Sequence, residues 1–209
     1  MWTVGFDLDM TLVDSRPGIA AAFRRLSALT GVPIDADLAV SRLGPPLEHE
    51  LANWYPAEHI AEMVARYRAL YPEYAITPSP ALPGAAGALA AVRAAGGRVF
   101  VLTAKKAELA QLHLRHLRLT TDADEVRGLA WADAKATALR EVGALAYVGD
   151  HVADMAAART AGVRGVGVAT GPCSTAELTV AGADPVLPDL LAFPRFLARI
   201  RLGRGVSGS

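Results

Sequence analysis

Val4-Gly5-Phe6-Asp7-Leu8-Asp9 is the stretch of this 209-residue chain that most restricts its fold. A short apolar run that ends in two carboxylates one residue apart is typical of a buried strand that delivers both groups to one edge of a sheet. Residues i and i+2 of an extended chain point to the same side, so Asp7 and Asp9 would repel unless one is protonated or a cation lies between them. A hard cation that prefers oxygen ligands, such as Mg²⁺, is the natural candidate.

The composition is that of a soluble globular protein, with 52% hydrophobic and 20% charged residues. Lys+Arg and Asp+Glu are balanced at 21 each, so we expect no nucleic-acid partner and no membrane partner. No run reaches the roughly 18 apolar residues of a membrane-spanning helix, and Asp7 and Asp9 interrupt any N-terminal secretory signal. The single cysteine, Cys173, cannot form an internal disulfide, and we therefore expect a cytoplasmic protein.

Helical periodicity dominates up to about residue 74, and short apolar runs alternate with helices in the second half of the chain. The runs predicted to be strands are at 98–103, 145–149, 165–168 and 185–187. Strands that alternate with helices indicate a parallel sheet covered on both faces. We therefore predict an α/β fold with a Rossmann-like, mostly parallel sheet.

The helical segment after the first strand is predicted to be an insertion. Residues 1–14 and 82–201 would form the α/β core, and residues 15–81 would form a helical cap over the edge of the sheet. A proline-rich linker at 77–84 is suited to the return from the cap to the core. Residues 202–209 are expected to be a flexible tail.

Three of the predicted strands end in a polar side chain: Asp7, Thr103 and Asp150. In open α/β sheets ligands bind in the crevice at the carboxyl ends of the strands, so these groups can converge on one site. Lys135, on the predicted helix before Asp150, is a candidate cation for that site. Each residue alone also has an ordinary explanation as a turn residue, a helix cap or a solvated lysine. Their occurrence together favours a functional site.

These residues resemble the four motifs of the haloacid-dehalogenase superfamily of phosphohydrolases. The first motif, D-x-D-x-T, is matched by residues 7–11, and the second, a strand ending in Thr or Ser, by Thr103. The third, a helical lysine, is matched by Lys135, and the fourth, G-D-x-x-x-D, by residues 149–154. The four motifs occur in order, and the resemblance covers essentially the whole chain.

The resemblance implies a role for each carboxylate. Asp7 would be the nucleophile that attacks phosphorus and forms an aspartyl-phosphate intermediate. Asp9 would protonate the leaving alkoxide and later take a proton from the water that hydrolyses the intermediate. Mg²⁺ would be held by Asp7, by the main-chain carbonyl of Asp9 and by Asp150. Asp154 would bind a metal-bound water or orient the ligands.

Other residues near the motifs would assist. Thr103 and Lys135 would bind the equatorial phosphoryl oxygens, where transition-state charge is spread. Thr11 and Ala104, which belong to the first two motif regions, would support the site.

Several polar residues have no single interpretation from the sequence. Lys105 either adds positive potential near the phosphate or is an exposed first-turn lysine. His113 and His116 are expected to be solvated or half-buried, because they lack partner ligands at a known metal-binding spacing. His151, within the fourth motif, has no assigned role.

The stretches 12–15 and 44–48 further resemble the phosphoglycolate-phosphatase-like branch, which has a helical cap after the first motif. Cap loops close over the reaction centre and contact the leaving group, so we expect Arg42, Gly44 and Glu48 to influence substrate choice. The expected substrate is a small phosphorylated metabolite. The sequence does not identify that metabolite or its pathway, and it does not distinguish a monomer from a dimer.

Two other activities share this motif set. Asp9 favours phosphoryl transfer over dehalogenation, because dehalogenases resemble D-x-Y-x-T at this place. A hexose-phosphate mutase of the same superfamily would retain Asp9, although the cap-hinge histidine of such mutases is not present at 16–29. A catalytically inactive module that binds a phosphorylated metabolite is the third possibility, but binding alone requires no nucleophile. Hydrolysis is the leading prediction.

Overall fold

The structure, a computed structural model, describes residues 2–120 and 123–205. Its strands are β1 Thr3–Phe6, β2 Arg98–Leu102, β3 Glu125–Arg127, β4 Ala144–Gly149, β5 Arg164–Val168 and β6 Val186–Leu187. They form a six-stranded sheet in the order β3-β2-β1-β4-β5-β6, and every neighbouring pair is parallel. The predicted α/β fold with a Rossmann-like parallel sheet is confirmed.

Strand β3 was not predicted from the sequence. Its three residues are half-buried, and Glu125 and Arg127 flank a single apolar residue, Val126, so no apolar run marks the strand. It is a short edge strand whose pairing with β2 places Val126 beside Val101. Edge strands are commonly short and charged, because such features discourage pairing with another chain.

The described α-helices are α1 Arg16–Thr30, α2 Ala36–Ser41, α3 Leu47–Leu51, α4 Ile60–Tyr74, α5 Ala85–Ala94, α6 Ala107–His116, α7 Asp133–Glu141, α8 Val152–Ala161, α9 Thr175–Ala181 and α10 Phe193–Gly205. Short 3₁₀ helices at Ala57–His59 and Leu190–Ala192 lead into α4 and α10. Helix α3 begins at Leu47, so Glu48, one of the three residues expected to influence substrate choice, is helical, whereas Arg42 and Gly44 precede the helix. Helix α10 extends into the predicted tail, so residues 202–205 are helical, and residues 206–209 lie outside the described residues.

The core residues of β2 alternate between the two faces of the sheet. Val99 and Val101 pack in one apolar cluster with Phe6, whereas Phe100 packs in a second cluster with Tyr147 on the opposite face. This alternation follows from the two-residue period of a strand. Both faces of the central strands are therefore covered, as expected for a parallel sheet with helices on each side.

Helices α1 to α4 share a third apolar cluster, which includes Phe23 and Tyr67 and also Leu109 of α6. At the start of α1, a Cβ on Gly18 would lie 2.1 Å from the carbonyl oxygen of Ala75, so only glycine permits this close approach. The boundaries 15–81 for a separate cap stay a prediction. Within the described part of the chain, no helix is long and apolar enough to cross a membrane.

Candidate active site

Three strands bring their terminal residues to one edge of the sheet. β1 lies between β2 and β4, and the residues that follow these strands are Asp7, Thr103 and Asp150. The Asp7 amide donates to the carbonyl of Val148 at 2.8 Å, which continues the strand pairing as far as Asp7. All three side chains are buried. The structure thus brings together the three strand-end groups selected from the sequence.

Lys135 lies inside this group of residues and not at the surface. Its side chain is only 2% exposed, and Nζ donates to Asp7 Oδ1 and to Asp154 Oδ1, each at 2.7 Å. Burial alone would lower the pKa of this lysine, but the carboxylates of Asp154 and Asp7 raise the pKa well above its ordinary value. Lys135 is therefore a permanent positive charge beside the proposed nucleophile.

A cluster of three carboxylates could hold a cation. Oxygens of Asp7, Asp150 and Asp154 all lie within 4.8 Å of one another. Burial raises the pKa of Asp7 to about 7, although Lys135 opposes the rise. Burial, together with the charges of Asp7 and Asp154, also raises the pKa of Asp150 well above its ordinary value.

The raised pKa values of Asp7 and Asp150 indicate that this cluster needs more positive charge than Lys135 supplies. The donor set is all oxygen, which suits Mg²⁺. The ligand set inferred from the sequence used Asp7, Asp150 and the main-chain carbonyl of Asp9, with Asp154 in a supporting role. In the structure the side chain of Asp154 is part of the acidic cluster itself.

Two further contacts orient these carboxylates. Thr11 Oγ1 donates to Asp150 Oδ1 at 2.8 Å, and Thr11 is fully buried. The His151 amide donates to Asp154 Oδ2 at 3.2 Å, as part of the cap of helix α8. The backbone also approaches Asp150 closely at Gly171, where a Cβ would lie 1.8 Å from Asp150 Oδ2. Gly171 was not selected from the sequence, since an isolated glycine after a short strand is a common turn residue.

Asp9 is held in a tight turn after β1. Met10 in that turn has a left-handed φ of 58°, and its amide donates to the carbonyl of Val13 at 2.8 Å. The Met10 carbonyl accepts from Thr170 Oγ1 at 2.6 Å. Lys105 Nζ lies 3.2 Å from Asp9 Oδ1. Burial would raise the pKa of Asp9, but the charge of Lys105 holds it below its ordinary value.

Lys105 connects Asp9 to a residue of helix α4. Its side chain is 9% exposed, and Nζ donates to Tyr71 Oη at 2.7 Å. Tyr71 Oη is also 3.0 Å from His113 Nε2. His113 is fully buried, so the expectation of a solvated or half-buried histidine is wrong for this residue, whereas His116 is exposed. Burial, with the nearby charge of Lys105, lowers the pKa of His113 to about 4.

Tyr71 was not selected as a functional residue. From the sequence it belongs to the amphipathic pattern of α4, which predicts packing and not a contact with a residue 34 positions away. The sequence therefore offered no signal for this network.

The site opens into a cavity of about 230 Å³, lined by the sheet edge and by residues of α1 to α4 and their connections. Ala104, Arg42 and Gly44 line it, as does His151. Glu48 is not among the described lining residues. It forms an ion pair with Arg68, which does line the cavity.

Gly44 and His151 meet across the cavity wall. A Cβ on Gly44 would lie 2.8 Å from the His151 ring, so glycine permits the contact between the segment before α3 and the start of α8. The His151 ring also packs against Trp131 in a tilted arrangement, with centroids 5.5 Å apart, and its Nδ1 accepts from the Ala153 amide. His151 therefore caps α8 and forms part of the wall.

The model for the haloacid dehalogenase-like hydrolase family matches residues 4–168. The chain is 30% identical to the phosphoglycolate phosphatase of Caulobacter vibrioides, across 92% of this chain and 89% of that protein. It is 34% identical to the tyrosine-protein kinase PtkA of Mycobacterium tuberculosis over 124 residues, which are 59% of this chain but only 43% of that protein. A haloacid dehalogenase-like family hydrolase from Streptococcus pneumoniae superposes with a TM-score of 0.82 at 26% identity, covering 94% of this chain and 98% of that one.

Proposed function

The chain belongs to the haloacid dehalogenase-like hydrolase family, and on this premise we propose that it is a Mg²⁺-dependent phosphatase of a small phosphorylated metabolite. The observation that carries the proposal is the position of Asp7. Its buried carboxylate lines the cavity, contacts Lys135 at 2.7 Å and belongs to the acidic cluster. A solvated turn residue would need none of these contacts.

Asp7 acts as the nucleophile in this proposal. One carboxylate oxygen attacks phosphorus, the bond from phosphorus to the leaving oxygen breaks, and an aspartyl phosphate forms on Asp7. A water then attacks phosphorus, inorganic phosphate leaves and the carboxylate is regenerated. Asp7, Asp150, Asp154 and the main-chain carbonyl of Asp9 are the groups that would hold Mg²⁺. The ion, when bound, reduces the repulsion between the nucleophile and the phosphate.

Asp9 carries the proton in both half-reactions. Lys105 keeps its pKa low before the substrate binds, which leaves a carboxylate. An arriving phosphate adds negative charge beside this carboxylate and raises its pKa, so that it can take up the proton that it gives to the leaving alkoxide. After that transfer, the ionised Asp9 accepts a proton from the attacking water.

Two donors are suited to the phosphoryl oxygens. Thr103 Oγ1 accepts a hydrogen bond from the Lys105 amide at 3.2 Å, which leaves its hydroxyl hydrogen for an anion. The Lys135 ammonium has three hydrogens, of which two are directed at Asp7 and Asp154. The third can be donated to a phosphoryl oxygen, where negative charge is spread in the transition state.

The test is Mg²⁺-dependent release of phosphate from an aryl phosphate and from a broad panel of phosphate esters. We expect Asp7→Asn to lower kcat by at least about 10³-fold, since the variant lacks the nucleophile. Asp37→Asn is the matched control, because Asp37 is a surface carboxylate with 86% side-chain exposure. If the wild-type chain hydrolyses no ester of the panel, the proposal fails and a binding module is the better interpretation.

A further inference from the structure

The cationic side chains described as lining the cavity each have a carboxylate partner already. Among the described lining residues, five are lysine or arginine, and each has a carboxylate oxygen within 4 Å. They are Arg42, Arg68, Lys105, Lys106 and Lys135. Two of them, Lys135 and Lys105, are held by the proposed catalytic carboxylates. Lys106 is about half-exposed and 3.7 Å from a glutamate.

Arg42 is the cation most suited to a leaving group, because it belongs to the segment before α3 and lines the cavity. It is neutralised by Glu50, which accepts from Nε at 2.9 Å and from Nη2 at 2.6 Å. Such a two-bond pair is the strongest form of an arginine–carboxylate contact. The Trp54 indole nitrogen also donates to Glu50, at 2.9 Å, and Glu50 is 14% exposed.

Arg68 is paired with Glu48 through a single hydrogen bond, donated by Nη2 to Oε1 at 3.0 Å. Apolar and aromatic side chains make up much of the remaining wall on this side of the cavity, among them Ile19, Phe23, Leu43 and Tyr67. A carboxylate brought against this wall would lose hydration and would meet no unpaired cation among the described lining residues. Loss of hydration without a new partner is strongly unfavourable for a charged group.

We propose that the leaving group of the substrate is uncharged and partly apolar, so that phosphate esters of neutral alcohols are preferred over esters whose leaving group carries a carboxylate. This inference rests on the proposed phosphatase function. It concerns the part of the substrate that departs, since the phosphoryl group itself has Thr103 and Lys135 as its partners. Phosphoglycolate, whose leaving group carries a carboxylate, is accordingly expected to be a poor substrate.

The test compares 2-phosphoglycolate with 2-phosphoglycolamide, which has nearly the same shape but no charge on the leaving group. We expect the wild-type chain to hydrolyse the amide with a kcat/KM at least about 10-fold higher. Equal values, or a preference for the carboxylate, would overturn the inference. This comparison uses the unmodified chain, so it does not depend on the folding of any variant.

A variant tests whether the pairing of Arg42 with Glu50 is the reason that a charged leaving group is disfavoured. Glu50→Gln removes the charge that neutralises Arg42 but keeps an oxygen for Trp54. We expect the ratio of kcat/KM for phosphoglycolate to that for the amide to rise about 10-fold. The matched control, Glu62→Gln, breaks the exposed Arg66 pair on α4 and should leave the ratio unchanged. An unchanged ratio in Glu50→Gln would show that the neutralisation of Arg42 by Glu50 does not determine the preference.

The two proposals fail in different ways. If the aryl phosphate and both test esters release no phosphate, the phosphatase function itself fails. If the aryl phosphate is hydrolysed and phosphoglycolate is preferred over the amide, the function stands and the inference about the leaving group is overturned.

Discussion

Replacing Lys135 by methionine removes the one charge that the structure places between two buried carboxylates. Lys135 is 2% exposed and donates to Asp7 and Asp154, each at 2.7 Å. Methionine fills a similar volume but cannot donate. The three carboxylates of the cluster, whose oxygens lie within 4.8 Å of one another, would then have no ammonium among them.

Removing one partner of a buried ion pair costs about 3–5 kcal/mol, because the remaining charge is left uncompensated. For a chain of this length, each kcal/mol lowers Tm by about 2–4 °C. We therefore expect Lys135→Met to lower Tm by roughly 6–20 °C in the presence of a chelator. Adding Asp154→Asn to Lys135→Met should restore part of the lost Tm, because it removes one of the mutually repelling carboxylates.

Urea unfolding at pH 8 with a chelator measures this effect without interference from a bound cation. Lys106→Met is the control, since that lysine is 48% exposed and its loss should change the unfolding free energy by less than about 0.5 kcal/mol. A Lys135→Met protein that unfolds within about 1 kcal/mol of wild type would refute the view that Lys135 compensates this cluster.

Three further predictions concern single residues of the site and its surroundings. Asp9→Asn should lower kcat by about 10²–10⁴-fold, measured as the initial rate of phosphate release, since the amide cannot carry the proton; a near-normal kcat would contradict its acid–base role. Thr11→Val removes the hydroxyl that donates to Asp150, and it should raise the Mg²⁺ concentration at the midpoint of a thermal-shift titration by about 10-fold. An unchanged midpoint would show that this hydrogen bond does not orient Asp150 as a metal ligand. Burial lowers the pKa of His113 from 6.5 to about 4, so as the pH falls from 6.5 the unfolded chain takes up a proton that the folded chain does not. The stability that neutral, buried His113 provides above pH 6.5 is thus lost progressively toward pH 4, by up to about 3 kcal/mol. Between pH 7 and pH 5, the free energy of unfolding in urea should therefore fall less for His113→Gln than for the wild-type chain. Equal falls in both proteins would contradict the buried neutral state of His113.

The convergence of Asp7, Thr103 and Asp150 could be predicted because it follows from the geometry of parallel strands. Their carboxyl ends meet at one edge of the sheet, so the residues after the strands meet as well. The position of Lys135 before the Asp150 strand made it a candidate cation, but a helical lysine by itself indicates a solvated surface, and only the resemblance to a known family gave it a role in the site. The structure places its ammonium between Asp7 and Asp154 of the acidic cluster.

The contacts made by α1 to α4 with the site could not be predicted in the same way. The link from Lys105 to Tyr71 joins residues 34 positions apart on different elements. It depends on how α4 packs against the core, which the period of an amphipathic helix does not determine. The pairing of Arg42 with Glu50 likewise depends on the path of the chain between α2 and α3. Sequence patterns can identify such charged residues but not their partners.

Trapping the phosphorylated enzyme is the most direct test of the account. The chain would be mixed with Mg²⁺ and a substrate that it turns over, quenched in acid during turnover and mapped by peptide mass. We expect one phosphoryl group on the peptide that contains Asp7, and we expect neither this group nor turnover in Asp7→Asn. A phosphoryl group on a different residue, or normal turnover by Asp7→Asn, would contradict the assignment of Asp7 as the nucleophile.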